Sequence, residues 1–265
     1  MAHPYVHHAL LTFSALHIAS LSRANTHSST ISPDLVTALS HKSTAIETLR
    51  PAVDRVDSQT CEPALAASGL LTCCAFALPL VGAPFDPIDL LAQIVSLFQG
   101  STALFRMGWR DPGALDKTTS LMVRRSVVIA SANEAPWPEA EQAVDHLIHA
   151  IAMLDCPNQG KKEVLMDSAL KSKVALRRVA AAPGVYTVAT MWLGMVWPAF
   201  ITYIQERDPL ALILLAYWAV CLKGVSHVWW TRGWAERTLQ AVWQIIGEEH
   251  VHLLVWPATE VGVVL

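Results

Sequence analysis

The chain has 265 residues, a formal net charge of −3, 53% hydrophobic residues and only 15% charged ones. That is more apolar than an average soluble domain, and no basic cluster marks a nucleic-acid partner. The apolar excess calls for a lined cavity, a large subunit interface or a membrane contact. Five cysteines, at 61, 73, 74, 156 and 221, make an odd number, and the adjacent pair Cys73-Cys74 fits neither zinc spacing nor an ordinary disulfide staple. Buried reduced thiols in a cytosolic or nuclear chain are expected. The start, MAHPYVHH, lacks the basic and apolar regions of a signal peptide.

In chain order, residues 3–22 read as a helix that is apolar on most sides. His7 and His17 within it are ten residues apart, roughly 100° from a common face, so no metal site is expected there. A polar loop follows. Ser32-Pro33-Asp34 signals a helix start, and Pro51 is expected to stop that helix after Leu49. Residues 62–78 form a small-residue helix, suited to close approach of a neighbour. Pro79, Gly82, Pro84 and Pro87 then mark a stiff connection. In 87–106, Leu90, Leu91, Ile94, Leu97, Phe98 and Phe105 follow i, i+3, i+4, i+7 spacing. Residues 116–132 read as a further helix. After the break Pro136-Trp137-Pro138, a helix carries Val144, Leu147, Ile148, Ile151 and Leu154 on one side, with Glu139 and Glu141 in its first turn. Residues 161–181 form a basic amphipathic helix ending before Pro183-Gly184.

Val185 to Ile204 runs twenty residues without a charge, long enough to span a bilayer. Pro198 and the step before it interrupt the run, and the next apolar stretch, Leu210 to Leu222, is too short to partner it. A buried helix pair is expected, with no membrane span. No run shows sustained period-2 alternation. The expected fold is therefore all-α: a single domain over 1–265 of about ten to twelve helices around an apolar pocket. Its front half, 1–182, is amphipathic. Its back half, 183–265, is apolar and rich in tryptophan.

Familiar chemistry is absent from the sequence. It has no Gly-rich phosphate loop, no Gly-x-Ser-x-Gly elbow and no His-Glu-x-x-His. His250 and His252 point about 200° apart on a helix, which argues against a metal beside Glu248 and Glu249. Ser226 and His227 are adjacent and do not face each other. Cys221 sits among aliphatics, which makes a thiol inert. What remains is aromatic and thioether density. Met191, Trp192, Met195 and Trp197 lie on one segment, and Trp218, Cys221 and Trp230 on the next. Such side chains give broad polarizable surfaces, and pockets pair them with a few polar groups. These seven are the candidate substrate-binding residues, with Tyr203, Tyr217 and His227 as candidate hydrogen-bond donors. Plain aromatic core plus a dimer face explains the same composition. No metal and no cofactor are expected.

Residues 210–261 hold six of the ten tryptophans: Trp218, Trp229, Trp230, Trp234, Trp243 and Trp256. The order LALILLAYWAVCL, Trp229-Trp230, Gly233-Trp234-Ala235-Glu236, Gly247-Glu248-Glu249-His250, Trp256-Pro257 and Glu260-Val261-Gly262 resembles the C-terminal regulatory domain of fungal zinc-cluster transcription regulators of the sterol uptake control type. His3-Pro4, His8-Ala9-Leu10-Leu11 and Ser14-Ala15-Leu16-His17 resemble the start of that domain. The similarity is strong over about 205–262 and loose between 50 and 180. It implies an all-helical domain that dimerises and holds a sterol in a deep apolar pocket.

The six-cysteine DNA-binding module of those regulators is not in this sequence. The resulting expectation is a stand-alone pocket protein of secondary metabolism. It would bind an apolar, terpenoid-like molecule and promote its cyclisation by a pericyclic, Diels–Alder-type [4+2] reaction. Holding one flexible molecule in a reactive conformation removes entropy from such a step, and one hydrogen-bond donor polarises a carbonyl. The alternative is a sterol-sensing domain of a transcription factor. The expected partners are the small molecule and a second copy of the chain. The expected location is cytoplasmic, or nuclear for a regulator.

Overall fold

The computed structural model describes residues 3–25, 32–57, 60–82, 85–110, 134–154 and 158–264. Among them are eleven α-helices, two 3-10 turns and no strand, so the chain is all-α as its periodicity implies. The expected helix over 116–132 lies outside the described residues.

Two compact units divide the described chain. The first holds α1 (Pro4–Asn25), α2 (Pro33–Val53), α3 (Cys61–Val81) and the part of α4 (Pro87–Arg110) from Leu97 onward. Its core is made of small side chains and a few large ones: Tyr5, Ala9, Ala45, Leu49, Ala64, Ala67, Leu71 and Leu104. Alanine at the contact lets backbones approach closely. The Ser68 and Ser101 hydroxyls meet at 2.6 Å, and the Cys61 thiol donates to the Leu104 carbonyl at 3.6 Å. The Ser32 hydroxyl caps α2 by accepting from the Asp34 N–H at 3.2 Å, with proline in the first turn, as the sequence signal implies.

Two prolines behave differently from expectation. Pro51 does not stop α2, which continues to Val53, and Pro79 does not end α3, which continues to Val81. Both sit in a last turn, where the missing N–H costs a single ladder bond and few residues remain to be misaligned. By length and composition α3 could cross a membrane, with a mean hydropathy of 2.0, and half of that window is buried inside the protein. The uncharged run from Val185 is a bent pair: Tyr186–Met195 and Ala199–Gln205 meet at 96°.

The second unit holds residues 86–96 of α4 and everything described from Glu134 on. Its helices are α5 (Pro138–Met153), α6 (Gln159–Ala181), α7 (Tyr186–Met195), α8 (Ala199–Gln205), α9 (Pro209–Lys223), α10 (Trp234–Trp243) and α11 (Val255–Val261). The 3-10 turns are Trp229–Thr231 and Glu248–Leu253. Every residue of α9 from Leu210 to Leu222 is buried. A helix apolar on all sides can only be stable when wrapped, and α6, α7, α8, α10 and α11 all pack on it. Asp208 opens α9: its carboxylate accepts from the Ala211 N–H at 3.0 Å, and Pro209 fills the first position. Arg207 precedes it at φ 57 and reaches Asp86 and Asp89 at 2.9 and 2.7 Å, tying the start of α4 to this unit.

Trp192 and Trp218 lie in this core. Their rings are stacked at 6.5 Å, and Phe200 meets Trp192 edge-on at 5.5 Å. Each indole N–H has a buried partner: Trp192 donates to the Ser168 carbonyl at 3.1 Å and Trp218 to the Ala189 carbonyl at 2.9 Å. Both bonds tie neighbouring helices together. Removing such a side chain leaves a cavity and breaks the bond between the two helices. Trp218→Ala should therefore lower the unfolding free energy by about 3–5 kcal/mol in urea melts. Trp256→Ala, at a half-buried position, should cost visibly less in the same measurement.

Candidate functional site

One hollow of the second unit is an open groove of about 900 Å³ bordered by α5, the 3-10 turn Glu248–Leu253 and α11. Its formation starts with α5. Pro138 occupies the first helical position, and Glu139 and Glu141 bring negative charge to the positive helix end. Ala140, Ala143, Val144, Leu147 and Ile151 turn inward. The opposite stripe, Glu139, Gln142, His146, His149 and Met153, then faces the groove. Across from it stand His252, Val255, Trp256 and Thr259. Buried Ala143, Tyr217 and Leu253 form the floor. Met153 and Val255 are 69% and 57% exposed, large apolar side chains left to solvent inside the groove.

Tyr217 reaches the floor from α9. Its hydroxyl donates to the Ala143 carbonyl at 3.0 Å, and burial pushes its pKa upward, so it stays a neutral donor. Trp256 lies on Tyr217 with ring centres 5.4 Å apart and meets Trp137 edge-on at 5.7 Å. The Trp256 indole nitrogen is sealed from solvent and has no hydrogen-bond partner. An unmet buried donor of this kind costs about 1–3 kcal/mol. Trp137 also borders a second hollow, of about 430 Å³, with Val179, Pro183, Val220 and Glu260. Lys223 on that hollow is held by Glu236 at 2.7 Å. The C-terminal end of α11 closes at Gly262, whose φ of 80 suits glycine and few other residues.

The groove gathers only one of the candidate residues from the sequence, Tyr217. Trp192, Trp218 and Cys221 are fully buried in the core. Burial among aliphatics pushes the Cys221 thiol up to about 12, so it is no nucleophile. Met191 takes a contact from Arg178 at 3.6 Å on its sulfur, and Met195 is half-buried on the same helix. Trp197 is 45% exposed, with the Lys171 ammonium 6.0 Å from its ring. Tyr203 lies under the Lys161 ammonium at 5.9 Å. Trp230 packs edge-on against Tyr186 at 5.5 Å, and His227 is exposed beside Gly184. These residues share no cavity with Tyr217 among those described. The residues that sequence reasoning missed are His146, His149, Met153, His252 and Trp256. Their signal was available in part: Glu139, Gln142, His146, His149 and Met153 recur at helical spacing opposite the apolar face.

Among the described residues, no three His, Cys, Asp or Glu side chains gather as a metal site. The groove offers aromatic and thioether surface and imidazole donors and acceptors at its rim, with the unbonded Trp256 N–H sealed behind its wall.

Electrostatics fix the groove wall. Arg177 on α6 donates through two nitrogens to both carboxylate oxygens of Glu141 on α5. That guanidinium bond holds the Glu141 carboxyl below its ordinary value, and the backbone N–H of Trp137 adds to it. A carboxyl depressed in the folded state stabilises above its unfolded pKa, and the contribution is lost as pH falls through the folded value. Thermal melts should therefore show wild type losing stability below about pH 4.5 more steeply than Glu141→Gln. Equal slopes would mean the pair does not clamp α5.

No family model, no curated protein and no solved structure matches the chain.

Proposed function

We propose that this chain binds an apolar, terpenoid-like small molecule in the groove floored by Tyr217 and Leu253 and walled by Trp256, and promotes its cyclisation. The observation that carries the reading is the groove itself. Its volume of about 900 Å³ lies within the range of small-molecule sites, and Met153 and Val255 leave apolar surface there that an occupant would cover. The aromatic floor supplies contact area at low entropic cost. The chemistry follows from confinement: a flexible diene and dienophile on one chain, folded against Tyr217 and Trp256, lose the freedom that slows a unimolecular [4+2] closure. A donor at the rim or wall would polarise a carbonyl conjugated to the reacting alkene. The sterol uptake control resemblance of residues 205–262 supports a ligand-binding role for the same region. A second copy of the chain is the proposed macromolecular partner, and no nucleic-acid contact is proposed.

Binding is tested by native mass spectrometry with the sesquiterpene ketone nootkatone. Wild type should retain one molecule per chain. Thr259→Trp, which fills the groove from an exposed position, should retain none while melting normally. Catalysis is tested with a linear triene bearing a tethered unsaturated ester. Cyclisation should run at least about 100-fold faster with wild type than with Thr259→Trp, well within the effective molarities that confinement supplies. Tight retention of the triene without acceleration would refute the catalytic part and leave a sensor or carrier.

A further inference from the structure

We infer that the groove selects molecules carrying a hydrogen-bond-accepting oxygen, and that the Trp256 indole N–H is the group that recognises it. This rests on the groove being the binding site and names the ligand's chemistry. Trp192 and Trp218, two fully buried tryptophans of this unit's core, each spend their N–H on a backbone carbonyl at 3.1 and 2.9 Å. Trp256 does not: its nitrogen is buried and unbonded. Its neighbours explain why no internal partner serves. Tyr217 and Trp137 present ring faces and edges to it at 5.4 and 5.7 Å, and the Tyr217 hydroxyl is committed to Ala143. Buried donors are almost always paired, and an exception in a cavity wall calls for a partner from outside the chain.

The indole is half-buried and borders the groove while its nitrogen is turned away from solvent, so recognition requires the ring to turn on its occupant and bring the N–H to it. A ketone, ester or ether oxygen satisfies it, because each accepts and none needs to donate. A pure hydrocarbon fills the same space and leaves the donor unmet. The selectivity then comes from the penalty against the wrong molecule as much as from attraction to the right one. The rim residues His146, His149 and His252 are exposed, where water competes for their imidazoles, so they discriminate far less between the two classes.

The test uses two probes that differ by one carbonyl, nootkatone and its parent hydrocarbon valencene, titrated into the full chain by calorimetry. Wild type should bind nootkatone about tenfold more tightly than valencene. Trp256→Phe keeps an aromatic face, smaller than the indole, and removes the N–H. It should bring the two affinities within about twofold of each other, because the lost ring area weakens both probes alike and cancels in the ratio. In parallel, the indole nitrogen-15 resonance that Trp256→Phe deletes should move downfield in its proton dimension with nootkatone and not with valencene. Equal binding of both probes to wild type, or a ketone preference that survives in Trp256→Phe, overturns the recognition and leaves the groove intact. Failure of both probes to bind wild type overturns the recognition and the groove reading together.

Discussion

The burial of α9 on every side is the constraint from which the second unit follows. Thirteen successive residues from Leu210 to Leu222 are out of solvent, and each large aliphatic among them is worth about 1.5–3 kcal/mol only when covered. A single helix cannot cover itself. Five helices must wrap it, and each must bring an apolar face to a fixed position along it. Asp208 and Pro209 set where that helix begins. Trp218 then reaches the Ala189 carbonyl of α7, while Tyr217, one residue earlier, reaches the Ala143 carbonyl of α5. Adjacent side chains on one rod therefore hold opposite walls of the unit. The groove exists because α11 lies on α9 and α5 is tied to it through the Tyr217 hydroxyl, which leaves Tyr217 as the floor between them.

Much of the architecture is written locally. The 3.6-residue periodicity, the Ser32-Pro33-Asp34 start, the Pro136-Trp137-Pro138 break and the kink before Ala199 all appear where the pattern puts them. Helix ends at Pro51 and Pro79 do not, since a proline in a final turn costs too little to override packing of the residues around it. The site was less legible. Trp192, Trp218 and Trp230 have the composition of a ligand pocket, yet Trp192 and Trp218 stack in the core and bond to Ser168 and Ala189. Composition does not distinguish an aromatic that packs on helices from one that lines a hollow. That depends on which carbonyls lie within reach, a property of tertiary contacts. Tyr217 was visible as one of three candidate donors beside the aromatic run, with Tyr203 and His227, which do not line the groove. Trp256 was obscured because its importance lies in the partner it lacks.

The chemistry available in the groove is that of shape and a few dipoles. The Tyr217 hydroxyl is held neutral by burial, and Cys221 is inert for the same reason. Rate acceleration in such a place would come from conformational restriction and from a preorganised donor. The clamp between Arg177 and Glu141 keeps the α5 stripe in register with α6, and the αL turn at Gly262 closes the short helix that carries Trp256. Both devices hold the groove walls in place.

The central claim is that ligand occupies the groove beside Tyr217 and Trp256, away from the aromatic core of α7 and α9. The most direct measurement is the set of intermolecular NOEs from bound nootkatone to methyl-labelled protein. The account predicts contacts to the methyl groups of Met153 and Val255 and none to Met191 or Met195. Contacts to Met191 and Met195, with Met153 and Val255 silent, would contradict it.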